Sequence, residues 1–530
     1  MTGGFSRRFS MNLMIQFSKR ASRDATRGAI ALLILAAATH IGIAQAAGQS
    51  AATPANAGPP NSGANNQLGV AVKTQQQLST PGPALNPQST TSQNGIDPSY
   101  RGSLVQGKAT AEVLPLTIDD AILRGLQNNL GLILQTSNER QANGSRLESL
   151  QALLPTVTGG ASVTVQQIDL AAYGLKIPGI NPIVGPFQVM DVRGYASQNV
   201  LNLTAFQQYM ASKHNFQGAK LTAQDARDLV VLTVGNAYLL CVADEARIKA
   251  VQAELDNSKL SFDQATGNHD AGISPRIDVL RAQVDYQSEQ QSLFSANNQL
   301  AKDKLALARV IGLPLDQKFE LADGTPFQAL DTPDPDAAFQ QALKQRKDLA
   351  AAAETVKGAE ATRKAAVYDQ LPTVVASGNY GDQGETFGHS HGTYTAEGQL
   401  SMPLLQIAKT RGEEETAGAQ LDQARAKLSD QVQQVNADVR DAILDIQTAA
   451  KLVEATHSNV DLAREALSEA QQRYKAGVDT SLSVSQALST DRQAEDQYIS
   501  ALYQHNVAKL ALARALGVAS TNYKEYLGGK

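Results

Sequence analysis

Leu305-Ala306-Leu307-Ala308-Arg309-Val310-Ile311-Gly312 recurs later in the chain as Leu510-Ala511-Leu512-Ala513-Arg514-Ala515-Leu516-Gly517. Each octet closes a longer match. Ala271-Gly272-Ile273 stands ahead of the first and Ala476-Gly477-Val478 ahead of the second. Farther upstream, Leu154-Pro155-Thr156-Val157 is echoed by Leu371-Pro372-Thr373-Val374. One unit of about two hundred residues is written twice, and this bounds the architecture before any single element is read.

Between these anchors apolar residues fall seven apart. Val234, Cys241, Ile248, Leu255 and Phe262 do so in the first unit; Val439, Ile446, Val453, Val460, Leu467 and Tyr474 do so in the second. Such a repeat underwinds a helix to about 3.5 residues per turn and favours a left-handed supercoil. The neighbouring stripe Val435, Ala442, Ala449, Ala463 and Ala470 is mostly small, which lets helices approach closely. Val279, Tyr286, Leu293, Leu300 and Leu307 keep the same spacing on the return run. Gly272 and Gly477 therefore mark turns between long antiparallel helices. The pattern predicts helices over 117–153, 206–266 and 275–311, then 336–370, 406–474 and 480–516. At about 1.5 Å per residue the longest run to about 90 Å and the others to about 55 Å, so two short helices end to end match one long one.

The period then changes from seven to two. Val157, Ala161, Val163 and Val165 alternate with Thr156, Thr158, Ser162 and Thr164. Val374, Ala376 and Tyr380 alternate with Val375, Ser377 and Asn379; Tyr394, Ala396, Leu400 and Met402 alternate with Thr395, Glu397, Gln399 and Ser401. Strands are expected over 156–165, 374–380 and 394–402, each with one apolar and one polar face, and over 193–203, where the alternation is poor. A Pro/Gly-rich excursion, 170–187, and a polar loop, 381–392, join them. About ten residues is the length of a tilted membrane strand. Four strands cannot close, and an open edge in lipid leaves backbone groups unsatisfied. Closure needs pooled chains: two copies bring eight strands, three bring twelve.

The ends differ in kind. Arg20, Arg23 and Arg27 precede the apolar run Ala29 to Ala38, and Ala44-Gln45-Ala46 offers small residues at cleavage spacing. Residues 1–46 read as a secretory signal peptide. Residues 47–115, rich in Ala, Gly, Pro, Ser, Asn and Gln without periodicity, read as a disordered arm. The repeats then span 116–330 and 331–518, with a short tail at 519–530. The apolar stretch Leu229 to Ala243 is too short to span a bilayer, and its stripe reads as buried coiled coil.

The 530 residues carry a net charge of −5, although 1–46 hold six Arg/Lys and one Asp. The remainder is thus more acidic still, which disfavours nucleic acid as a partner. Tryptophan is absent and aromatics are 5%, as suits coiled coils better than a dense globular core. Cys241 is the one cysteine, on an apolar stripe, so it reads as a small core residue. No phosphate loop, nucleophile elbow or Cys/His cluster is found, so neither enzyme chemistry nor a cofactor is expected. His389 and His391 lie near Asp382 and Glu385, but spacing fixes no third metal ligand, and they read as a solvated loop. A secreted acidic chain with amphipathic strands fits a bacterial outer membrane.

The two Leu-Pro-Thr-Val sites, the run Gly272-Ile273-Ser274-Pro275-Arg276-Ile277-Asp278-Val279-Leu280-Arg281-Ala282-Gln283, the run Gln472-Arg473-Tyr474-Lys475-Ala476-Gly477 and the two octets together resemble the TolC-like outer-membrane efflux family. The resemblance covers about 115–518. It implies a mainly α fold with a small β part: a long coiled-coil α-helical barrel continuous with an outer-membrane β-barrel, built by a homotrimer. It further implies a passive exit duct for small molecules or polypeptides, in a tripartite efflux or type I secretion system. A periplasmic adaptor would dock at the tip, and an inner-membrane pump would supply the energy. The rival class is a periplasmic coiled-coil scaffold without a pore, which has no use for outward apolar strand faces.

Residue by residue, the resemblance places the gate at Asp278 and Tyr474. It puts the adaptor-binding turns at Gly272, Ile273, Ser274 and at Gly477, Val478, Asp479. The sequence departs from the family where Asp479 replaces an arginine, and where Ser483 and Gln486 replace a carboxylate ring. Arg276 or Arg281 is therefore expected to pair with Asp278 or Asp479.

Overall fold

The computed structural model describes residues 98–527 apart from 176, 177, 180, 325 and 326. The expected signal peptide and residues 47–97 of the expected arm lie outside the described residues. The doubling is visible in element lengths. The first unit holds α1 (Ile118–Asn128, 11 residues), α2 (Leu130–Gln151, 22), α3 (Leu203–Asp270, 68) and α4 (Arg276–Ile311, 36). The second holds α5 (Pro335–Gln345, 11), α6 (Lys347–Tyr368, 22), α7 (Ile407–Lys475, 69) and α8 (Ser481–Ala515, 35).

The helices expected over 117–153 and 336–370 are each broken once, a correction with a physical reason. Asn129 and Arg346 adopt extended backbone and start a new helix. At the first break, the Asn129 side chain accepts from the amides of Gly131 and Leu132 and donates to the Tyr100 carbonyl at 2.7 Å. The second break is held by a guanidinium: Arg346 donates to both oxygens of Asp348, at 3.0 and 2.6 Å, and to Asp438 at 3.0 Å. Each break receives the end of a return helix. Gly312, at φ +76°, closes α4 so near Asn128 that a Cβ would lie 2.8 Å from the Asn128 Cβ. Gly517, also at φ +76°, closes α8 against Arg346, whose backbone N would lie 2.9 Å from an added Cβ. The octets thus end in glycine because short helices stack end to end there.

Around these junctions lies the main apolar core, with Ile122, Val234, Tyr238, Leu307, Ile311, Val439, Ile446 and Leu512. Val230, Val231, Val234, Tyr238 and Cys241 of α3 are fully covered by protein, so the apolar window of this helix is core.

Two segments read as featureless are ordered. Within the expected arm, Tyr100 is buried against Gly131, and β1 (Leu114–Leu116) pairs in parallel with β4 (Phe319–Leu321). Tyr238 donates from its hydroxyl to the Leu116 carbonyl at 3.0 Å. The tail forms α9 (Ala519–Leu527), whose Tyr523 and Lys524 reach Asp119 at 2.8 and 2.6 Å. Single anchoring residues order these pieces, and periodicity cannot register them.

The strands form one antiparallel sheet in the order β2 (Thr156–Asp169), β3 (Ile183–Leu201), β5 (Thr373–Gly384), β6 (Ser390–Ser401). They are longer than expected, absorbing the last residues of the Pro/Gly excursion, 183–187, and much of the polar loop. A tight turn at 385–389 is all that remains between β5 and β6. Register decides the faces. Val157 pairs with Ala196, Ala196 with Gly378, and Gly378 with Ala396. Val163, Met190, Val192, Val374, Ala376, Tyr380, Tyr394 and Leu400 share that face. The other face carries Thr158, Ser162, Asp191, Arg193, Asn379, Thr393 and Glu397. There Arg193 donates to Asp191 at 2.7 Å and to Asn379 at 2.8 Å. The outer edges of β2 and β6 have no partner among the described residues.

Candidate functional site

The far ends of the hairpins α3–α4 and α7–α8 turn in the same way. The Ile273 amide donates to the Asn268 carbonyl at 2.8 Å, and the Val478 amide to Arg473 at 3.1 Å. Each spans five residues back and closes a helix through a left-handed glycine, Gly272 at φ +75° and Gly477 at φ +72°. Space does not require glycine at either place, since nothing lies within 4 Å of an added Cβ; the backbone angle does. Beyond each glycine an apolar side chain points to solvent, Ile273 at 74% exposure and Val478 at 68%.

Just above the turns, α4 and α8 are tied together. The Ser481 hydroxyl donates to Asp278 at 2.6 Å, and the Ser485 hydroxyl to Asp285 at 2.5 Å. Farther along, Arg492 donates to Glu289 at 3.0 Å. Tyr474 of α7 borders a small cavity with Ser258, Ala265, Arg281, Asp285 and Ser485, and its buried hydroxyl has no hydrogen-bond partner among the described residues.

Of the expected arginine pairings, Arg281 with Asp278 forms, while Asp479 takes a different arginine. Arg281 approaches Asp278 only to 3.9 Å, and the close partner is Ser481. Asp479 is faced by Arg473, at 3.4 Å, from the helix before the turn. Just ahead of α8 it accepts from the Thr480 amide and the Ser483 hydroxyl, each at 2.7 Å. The Ser483 hydroxyl, then the Thr480 amide, with Arg473 nearby, hold the Asp479 carboxyl below its usual range. Arg276 is exposed and forms no ion pair among the described residues. Ser483, standing at the family's ring position, thus donates to Asp479.

Sequence reasoning missed Ser481, Ser485 and Arg473. A signal was present: Asp278 and Asp285 lie one heptad apart, and Ser481 and Ser485 one helical turn apart, so each pair shares a face. The expected loop around the histidines is mostly strand: His389 ends the tight turn and His391 lies within β6. His389 contacts Thr386 at 3.2 Å, His391 lies on the polar sheet face opposite Gln383, and no metal-holding group of three forms among the described residues.

Comparison with known proteins identifies the family and the fold. Residues 126–313 and 338–518 match the family described as "Outer membrane efflux protein", one segment in each repeat. The pyoverdine export outer membrane protein OpmQ of Pseudomonas aeruginosa is 22% identical over 413 residues, covering 76% of this chain and 85% of the relative. Among solved structures, the outer-membrane channel OprN superposes with a TM-score of 0.66 at 20% identity, over 79% of this chain and 97% of that one. The Campylobacter jejuni outer membrane channel CmeC superposes at 0.67 and 16% identity, over 85% and 98%.

Proposed function

Because this chain belongs to the outer membrane efflux protein family, it is an outer-membrane channel of an efflux pump rather than an enzyme, and we propose that three copies close it into one duct gated at the hairpin tips. One observation carries the reading: all four strands present an apolar face, while the outer edges of β2 and β6 have no partner among the described residues. In hydrocarbon each unpaired backbone group costs several kcal/mol, so the edges must be satisfied by other copies. Strand direction alternates across the sheet, so β6 of one copy meets β2 of the next antiparallel. Three copies then supply twelve strands, with the apolar face toward lipid and Arg193, Asp191 and Asn379 toward a wet lumen.

At the other end, Asp278–Ser481 and Asp285–Ser485 hold one hairpin against the other. Opening means parting them. The exposed Ile273 and Val478 offer the turns to a periplasmic adaptor, through which an inner-membrane pump supplies the energy. The names of the relatives, pyoverdine export and toluene efflux among them, favour small organic cargo over polypeptides.

Conductance across planar bilayers tests the reading. The wild type should show a small closed-state current, and Asp278→Ala should raise it several-fold. An unchanged current rejects the gate role of Asp278. No conductance from either protein rejects the duct.

A further inference from the structure

Higher on the same hairpins the seam is built on acids. Glu254 of α3 faces Asp491 of α8, and each is only 4% exposed. Glu254 Oε2 and Asp491 Oδ1 receive no hydrogen bond among the described residues. The charged groups around them are already engaged. From α4 comes Glu289, held by Arg492 of α8 at 3.0 Å. From α8 comes Glu495, held by Arg464 of α7. Arg247 of α3 is turned to Asp496 of α8 at 3.0 Å. Among the described residues neither Glu254 nor Asp491 has an ion-pair partner, and no metal-holding group of three forms. Two ionised carboxylates in contact, stripped of water, repel without compensation. A single shared proton turns that repulsion into a hydrogen bond.

We propose that Glu254 and Asp491 form a proton-operated latch between the two hairpins, closed when the pair holds a proton and driven apart when it loses it. Burial, then the hydrogen bond and charge of Asp491, then the charges of Glu289 and Glu495, push the Glu254 carboxyl up to about 8. The sign follows. A carboxyl raised in the folded state stabilises the closed contact fully below its ordinary value of 4.5, and that contribution is lost as pH rises through about 8. Closure is favoured in neutral and acidic surroundings, opening in alkaline ones. A second acid pair repeats the device within the first hairpin. Burial and the neighbouring Asp303 of α4 push Asp244 of α3 up to about 7.

The latch deepens the gating reading above, and its test does not depend on conduction. Spin labels at the exposed Lys259 of α3 and Ser489 of α8 report the hairpin separation, in assemblies diluted with unlabelled chains. The distance should lengthen as pH rises from about 6 to about 9.5. Glu254→Gln keeps a hydrogen bond to Asp491 without a titrating proton, so it should stay short throughout. A wild-type distance that ignores pH overturns the latch. So does a lengthening that survives in both Glu254→Gln and Asp491→Asn. A pH-dependent distance without any conductance would sustain the latch and reject the duct.

Discussion

Gly517 shows how one residue positions two elements. Its amide bonding ends α8, and its missing side chain lets Arg346 sit against it. Alanine there meets both a left-handed backbone and contacts of 2.9 Å to the backbone N and Cα of Arg346. The backbone term alone is about 1–2 kcal/mol. Gly517→Ala should lower the melting temperature by several degrees, whereas Gly418→Ala, with open space around it, should not. Equal melting temperatures would show that the junction is soft. At this scale the sequence was legible where backbone demanded a residue type, as at the turn and junction glycines. It was less legible where partners were exchangeable. Asp278 needs a donor, and a serine one helix away serves as well as an arginine, so spacing alone does not choose between them.

Among the elements, the helices followed the heptads closely, but their breaks did not. Neither Asn129 nor Arg346 is a helix breaker by propensity. Each becomes one because a distant partner, Tyr100 for the first and Asp438 for the second, fixes it in extended form. Strand faces were readable from alternation in β2, β5 and β6 but not in β3, and strand ends were not. Gln166, Asp169 and Asp382 look like loop residues until the register pairs them or their neighbours. That register makes a contrast testable. Val163 and Thr164 are adjacent on β2 and face opposite ways. Arginine on the lipid face costs about 2–4 kcal/mol near mid-membrane, and little on the lumen side. Val163→Arg should sharply reduce the amount recovered in the outer membrane, and Thr164→Arg should leave it near wild type. Equal recovery of the two would mean that the faces are misassigned.

For the whole molecule, duplication supplies most of the architecture: two hairpins, two pairs of strands and two stacked junctions from one repeated plan. What it cannot supply within one chain is a closed sheet. The central claim is therefore that β6 of one copy completes β2 of another. The native thiol does not interfere, because burial pushes Cys241 far above its ordinary range and leaves it inert. A cysteine at Thr158 can be scanned against cysteines at His391, Thr393, Thr395, Glu397 and Gln399, all on the same polar face. Oxidised in the membrane, at least one pairing should yield a covalent three-chain product that collapses to a single chain on reduction. If every pairing leaves only single chains, the edges do not meet and the duct is not built this way.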